Sequence, residues 1–174
     1  LPAWMIGNNP ELKIIQATHT AELAVNFGRK TKNLIDSKEY QDLFATRLQE
    51  DSKAAGRWNT AQGGEYFAVG VQGAVPGRGA DLLIIDDPHS EQDMNSKNAF
   101  EKAYEWYTSG PRQRLQPGGR IILVMTRWSK KDLTEMLLKA QAEDKADKWD
   151  IVEFPAIMPS GKPVWPEYWR LEDL

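Results

Sequence analysis

Two uninterrupted apolar runs, LLII at 82–85 and IILVM at 121–125, constrain this chain more than any other feature. Each is of strand length, and neither alternates apolar with polar residues. A strand that alternates can leave one face in water, whereas one that is apolar throughout must be covered on both. The first run ends in Asp86, Asp87 and Pro88, and the second in Thr126 and Arg127. Strong strands that stop abruptly at polar residues, with helical segments between them, predict an α/β fold whose open, mostly parallel sheet is flanked by helices.

The rest of the chain fits that frame. KIIQA, within 12–17, reads as a buried strand after an Asn-Asn-Pro turn. Thr20 is placed to cap a helix running to about Asp36, and a short helix is expected over 39–44. RWNT and EYFAVGV suggest a hairpin closed near Gly63 and Gly64, with 65–71 as its outgoing arm. QGAVPGRG holds three glycines and a proline, so an irregular loop leads into the first apolar run. Helices are expected over about 97–108 and 130–142, and WDIVEFP reads as a further strand.

Composition narrows the function. The 174 residues suffice for one ordinary domain, and a net charge of -3 excludes a uniformly basic, nucleic-acid-coating surface. With no cysteine and two histidines, zinc ribbons, disulfide frameworks and thiol nucleophiles are excluded. The apolar runs are far below the roughly 20 residues that span a bilayer, so no membrane segment is expected. Positive charge gathers locally: Arg112, Arg114, Arg120, Arg127, Lys130 and Lys131 lie in one stretch without an acid. Such a stretch can face a DNA backbone, although a solvated face or a subunit contact explains it equally well.

In an open α/β sheet, ligands bind beyond the carboxyl ends of the strands, so the chemistry should sit where the apolar runs stop. Successive side chains diverge on a strand, so Asp86 and Asp87 can do different work: one holds a hydrated Mg2+, the other orients a water. The segment 81–96 holds five acids and no lysine or arginine. Thr126 and Arg127 put a hydroxyl and a cation at the lip of the second run, a place from which to sense a phosphate. Acids and prolines also end strands for purely structural reasons, and glycine loops such as Gly77-Arg78-Gly79 are mostly turns. No G-x-x-x-x-G-K-[ST] string occurs. Gly28-Arg29-Lys30-Thr31 lacks its register and lies in an expected helix. His19 and His89 have no ligand-spaced partners and read as ordinary polar residues.

Taken together, KIIQATHTAELAVNFGR, DSKAAGRWNTAQGGEYFAVGVQGAVPGRGADLLIIDDP, RIILVMTRW with its trailing KKDL, and VWPEYWRLEDL make the chain resemble the ATPase domain of the large terminase subunit of tailed bacteriophages. The resemblance runs along nearly the whole chain. It implies a P-loop NTPase fold of the additional-strand (ASCE) type, truncated at its N-terminus. Residues 1–158 would be a partial ATPase domain, and 159–174 a linker toward an absent nuclease domain.

On this resemblance LLIIDDP looks like the Walker B strand. Asp86 would bind Mg2+ through water, and Asp87 would stand where the family carries the catalytic carboxylate, often a glutamate. Thr126 would belong to the coupling motif and, with Arg127, lie at the ATP phosphates. Arg78 is similar in placement to an arginine that reaches a neighbouring subunit's nucleotide. The implied cofactors are ATP and Mg2+. The implied partners are double-stranded DNA, the portal protein, the small terminase subunit and further copies in a ring, in the cytoplasm of the bacterial host. The parent would be an ATP-driven packaging motor and nuclease, with this stretch alone weak or inactive. Two other readings are a DExx-type helicase or translocase fragment and a non-catalytic prophage remnant that binds partners.

Overall fold

The computed structural model describes residues 1–52, 54–75, 77, 79–96, 98–143 and 147–174. They form two compact units, Leu1–Leu137 and Leu138–Leu174.

The first unit is built on a five-stranded sheet of order β2-β3-β1-β4-β5, with β1 at Lys13–Thr18, β2 at Arg57–Asn59, β3 at Glu65–Gly70, β4 at Ala80–Asp86 and β5 at Leu115–Val124. β1, β3, β4 and β5 run parallel, and the short β2 returns antiparallel on β3 as the expected hairpin. The two apolar runs lie side by side, Leu83 opposite Ile121 and Ile85 opposite Leu123. β5 starts earlier than the apolar run suggests. Its pairing jumps from Ala80–Leu115 to Leu82–Arg120, so residues 116–119 bulge out of the ladder, with Gly118 at φ +80. That conformation favours glycine.

The α-helices among the described residues are α1 Pro2–Asn8, α2 Ala21–Ile35, α3 Lys38–Leu43, α4 Ala99–Ser109 and α5 Leu133–Ala142. Thr20 caps α2 as its position predicts, accepting the Leu23 N–H at 3.2 Å. Ile14, Leu82, Ile84 and Tyr66 share a core with Ala3, Ile6, Ile35, Tyr40 and Trp58, which draws α1, α2 and α3 onto one side of the sheet. The intervening residues Ile15, Ala17, Leu83 and Ile85 point the other way and are buried too. Burial on both faces is what an unbroken apolar strand demands, and β4 meets it. The run in β5 does not, Ile121, Ile122 and Leu123 being only partly buried and Val124 56% exposed, because β5 is the edge strand of the sheet.

Two polar bonds pin α1: the Tyr40 hydroxyl donates to Ala3 O at 2.7 Å, and that of Thr46 to Ile6 O at 3.1 Å. Trp58, fully buried, stacks flat on Tyr66 at 4.9 Å and donates its indole N–H to Gly28 O at 3.1 Å. Gly28 is thus a packing residue. A Cβ there would stand 2.5 Å from Ala55 O, so the glycine admits the chain against α2.

In the second unit WDIVEFP is not a strand. It joins no ladder among the described residues, and Ile151, Val152 and Phe154 lie exposed. β-branched and aromatic composition favours a strand only where a neighbouring strand supplies packing and hydrogen bonds. Further along, an isolated antiparallel bridge joins Ile157 and Pro163, and Trp165, Tyr168 and Trp169 form a ring cluster with centroids 5.0 and 5.1 Å apart. No helix among the described residues is long and apolar enough to cross a membrane.

Candidate active site at the carboxyl ends of the parallel strands

The parallel register brings the strand ends into one row, Gly70, Thr18, Asp86 and Val124 lying opposite one another in turn. Asp86 is the last residue of β4, in the middle of that row, and is half-buried. Burial, followed by the adjacent Asp87, pushes its carboxyl above the ordinary aspartate range.

Asp87 is exposed and has a φ of +43, in the left-handed region that side-chain-bearing residues seldom enter. Three bonds over-determine this conformation. Its N–H donates to Val124 O at 2.9 Å, its carbonyl accepts the His19 N–H at 3.2 Å, and its Oδ1 accepts the Thr126 N–H at 3.2 Å. Such a conformation persists where the surrounding structure over-determines it. Asp86, Asp87 and Thr126 are therefore brought together, as their positions at strand ends suggest.

Arg127 follows Thr126 but is already engaged. Its Nε donates to Asp132 Oδ2 at 3.0 Å and its Nη2 to Glu135 Oε2 at 2.7 Å. Arg78 lies outside the described residues.

Two residues that matter here are not distinguished by the sequence. Asp132 is fully buried: Oδ1 accepts the Glu135 N–H at 3.0 Å, while Oδ2 accepts from Arg127 and from the N–H groups of Trp128 and Ser129 at 3.1 and 3.2 Å. Burial raises its pKa, yet the bonds from Glu135, Arg127, Ser129 and Trp128 outweigh that and hold it below the ordinary value. The aspartate three residues before a glutamate, just ahead of an apolar helix, is the only sequence signal for this cap.

His89 is 4% exposed and accepts the Leu133 N–H on Nε2 at 3.0 Å. Where the sequence reads His89 as an ordinary polar residue, the structure buries it and makes it a link from the loop after β4 to the start of α5. Nothing in its sequence spacing announces a partner so distant.

Asp86 and Asp87 can serve a cation only sparingly. Among the described residues no three acids, histidines or cysteines converge as a metal cage. A half-buried carboxylate beside a second one suits a hydrated ion that takes its other ligands from water and phosphate, which is the habit of Mg2+. Compared with protein-family models and with curated proteins, the chain matches none.

Proposed function

We propose that this chain carries the acid pair of a P-loop-type ATPase, Asp86 holding Mg2+ on a bound ATP and Asp87 orienting the attacking water. More particularly, it is a part of the ATPase domain of a phage large terminase subunit, which moves double-stranded DNA with the portal protein, the small subunit and further copies of itself as partners, in the host cytoplasm. The observation that carries the reading is the strained Asp87 beside Asp86 at the tip of a central parallel strand, its carboxylate bonded to the backbone of Thr126. Support comes also from β5, which pairs with β4 alone among the described strands, so its outer edge is open to a further strand of the sheet.

Bound Mg2+ neutralises phosphate charge during phosphoryl transfer. The chain's own residues do the rest. Asp86 would hold the cation as the ionised carboxylate, and the cation's charge would offset the burial and the neighbouring Asp87 that raise its pKa. Asp87, turned outward by its left-handed backbone, accepts a hydrogen bond from the water. Its link to the Thr126 N–H means that a shift of the carboxylate is felt in the turn leading to α5.

The test is a titration of the chain with Mn2+ in place of Mg2+, followed by paramagnetic broadening of backbone NMR signals. Broadening centred on residues 86–87 and lost in Asp86→Asn supports the reading. Broadening that survives Asp86→Asn sinks it. In the longest polypeptide the gene encodes, Asp87→Asn should abolish ATP turnover while sparing ATP binding.

A further inference from the structure

We propose that His89 is a positioning residue for the acid pair: through Nε2 it holds the Leu133 N–H, fastening the turn from Thr126 to the start of α5 onto the loop that follows Asp87. The proposal deepens the active-site reading above and rests on it for its functional meaning.

Leu133 is the first residue of α5, and the N–H groups of a helix's first turn have no partner within the helix. Here Asp132 Oδ1 satisfies Glu135, and His89 Nε2, from a loop forty-four positions away, satisfies Leu133. A nitrogen that accepts carries no proton, so a neutral His89 bears its hydrogen on Nδ1. That atom faces Asp93 Oδ2 at 3.7 Å, a polarity that suits the same tautomer. Phe100 closes the ring's surroundings edge-on at 4.8 Å.

The β4 loop and the β5–α5 turn are thus joined twice, by Asp87 to Thr126 and by His89 to Leu133. One bond alone leaves a pivot, whereas two fix the turn's orientation. The His89 bond exists only while the ring is neutral, because a cationic ring presents N–H on both nitrogens. Asp93 from the 3-10 turn Glu91–Asn95 and Asp132 from the start of α5 favour the cation. Burial and His19, which itself stands 3.7 Å from Asp93 Oδ2, oppose it. Burial has the largest influence, and the neutral ring is favoured.

The experiment compares the full chain with His89→Gln, whose amide oxygen can accept the bond without titrating, and with His89→Ala. Ring 15N shifts, exchange of the Leu133 amide and the position of the Thr126 amide signal are read at neutral and acidic pH. In the wild type, the expected result is an Nδ1–H tautomer at neutral pH and, on protonation, exchange at Leu133 faster by about tenfold after correction for intrinsic rates. His89→Gln should keep Leu133 protected at both pH values. His89→Ala should lose that protection and shift Thr126. Protection of Leu133 that is unchanged in His89→Ala, or a Thr126 signal that stays put while Leu133 opens, overturns the proposal. A wild-type ring that carries its proton on Nε2 at neutral pH overturns it even where the alanine variant fails to fold. Mn2+ broadening separates the two ideas: its absence at residues 86–87 refutes the metal-site reading without touching the amide results.

Discussion

The Asp87 carboxylate accepts the backbone N–H of Thr126 at 3.2 Å across 39 positions of sequence, while its own N–H donates to Val124 O at 2.9 Å. The tip of β4 and the end of β5 are therefore one structural unit, and the unit is held at Asp87 in a left-handed backbone conformation.

That conformation makes the first prediction. Asp87→Gly removes the Cβ penalty and should leave urea stability near or above that of the wild type, although the Thr126 contact is lost. Asp87→Val, branched at Cβ, should be less stable than Asp87→Gly by about 1–3 kcal/mol. Equal midpoints for the two variants would contradict the strain.

Asp86 should oppose its own fold at neutral pH. Its folded-state pKa is raised by burial and then by Asp87, so its contribution is most favourable when protonated and is lost as pH rises through the folded value. Asp86→Asn cannot ionise, so its Tm should exceed the wild type's at pH 7, with the gain shrinking as the pH falls toward the ordinary aspartate value of about 3.9. A lower Tm at pH 7 would show that the ionised carboxylate is stabilised by its surroundings.

Asp132 should behave in the opposite sense. Its pKa is depressed in the fold, so its stabilisation is present above the ordinary aspartate value and is lost as pH falls through the folded one. Asp132→Ala removes a helix cap and strands the Trp128 and Ser129 N–H groups, for a cost of about 2–4 kcal/mol at neutral pH. Denaturant melts at pH 7 check this, and a loss under about 0.5 kcal/mol, the usual size of a neutral surface change, would refute it.

Gly28→Ala sets two effects against each other. Alanine gains about 1 kcal/mol of helix propensity in α2. Its methyl, however, would meet Ala55 O at 2.5 Å, a contact with backbone that cannot rotate away. Overpacking of this kind costs about 1–3 kcal/mol, so the variant should be destabilised overall. A raised Tm would mean that the backbone at Ala55 yields more easily than its close approach to Gly28 suggests.

Where local chemistry decides, the sequence was legible. The aliphatic runs produced β4 and β5, Thr20 capped α2, and the Gly63-Gly64 turn closed β2 onto β3. Asp86, Asp87 and Thr126 come together because β4 and β5 are adjacent parallel strands that end at one edge of the sheet. WDIVEFP was misread because a strand's composition says nothing about whether a partner strand stands beside it. His89 was invisible, and Asp132 marked only by its spacing to Glu135, for a related reason: their partners, the Leu133 N–H in one case and the Trp128 and Ser129 N–H groups in the other, are backbone atoms that every residue but proline possesses.

The sequence by itself determined the α/β class, the parallel core and the acids at its carboxyl edge, because burial on both faces and the strand-end positions of polar residues follow from patterns a few residues long. The tertiary structure alone decided the left-handed backbone of Asp87, the burial of His89 and the ion pairs that occupy Arg127. Each of these depends on which backbone groups two distant loops bring within hydrogen-bonding reach, and that distance is set by the packing of the whole sheet.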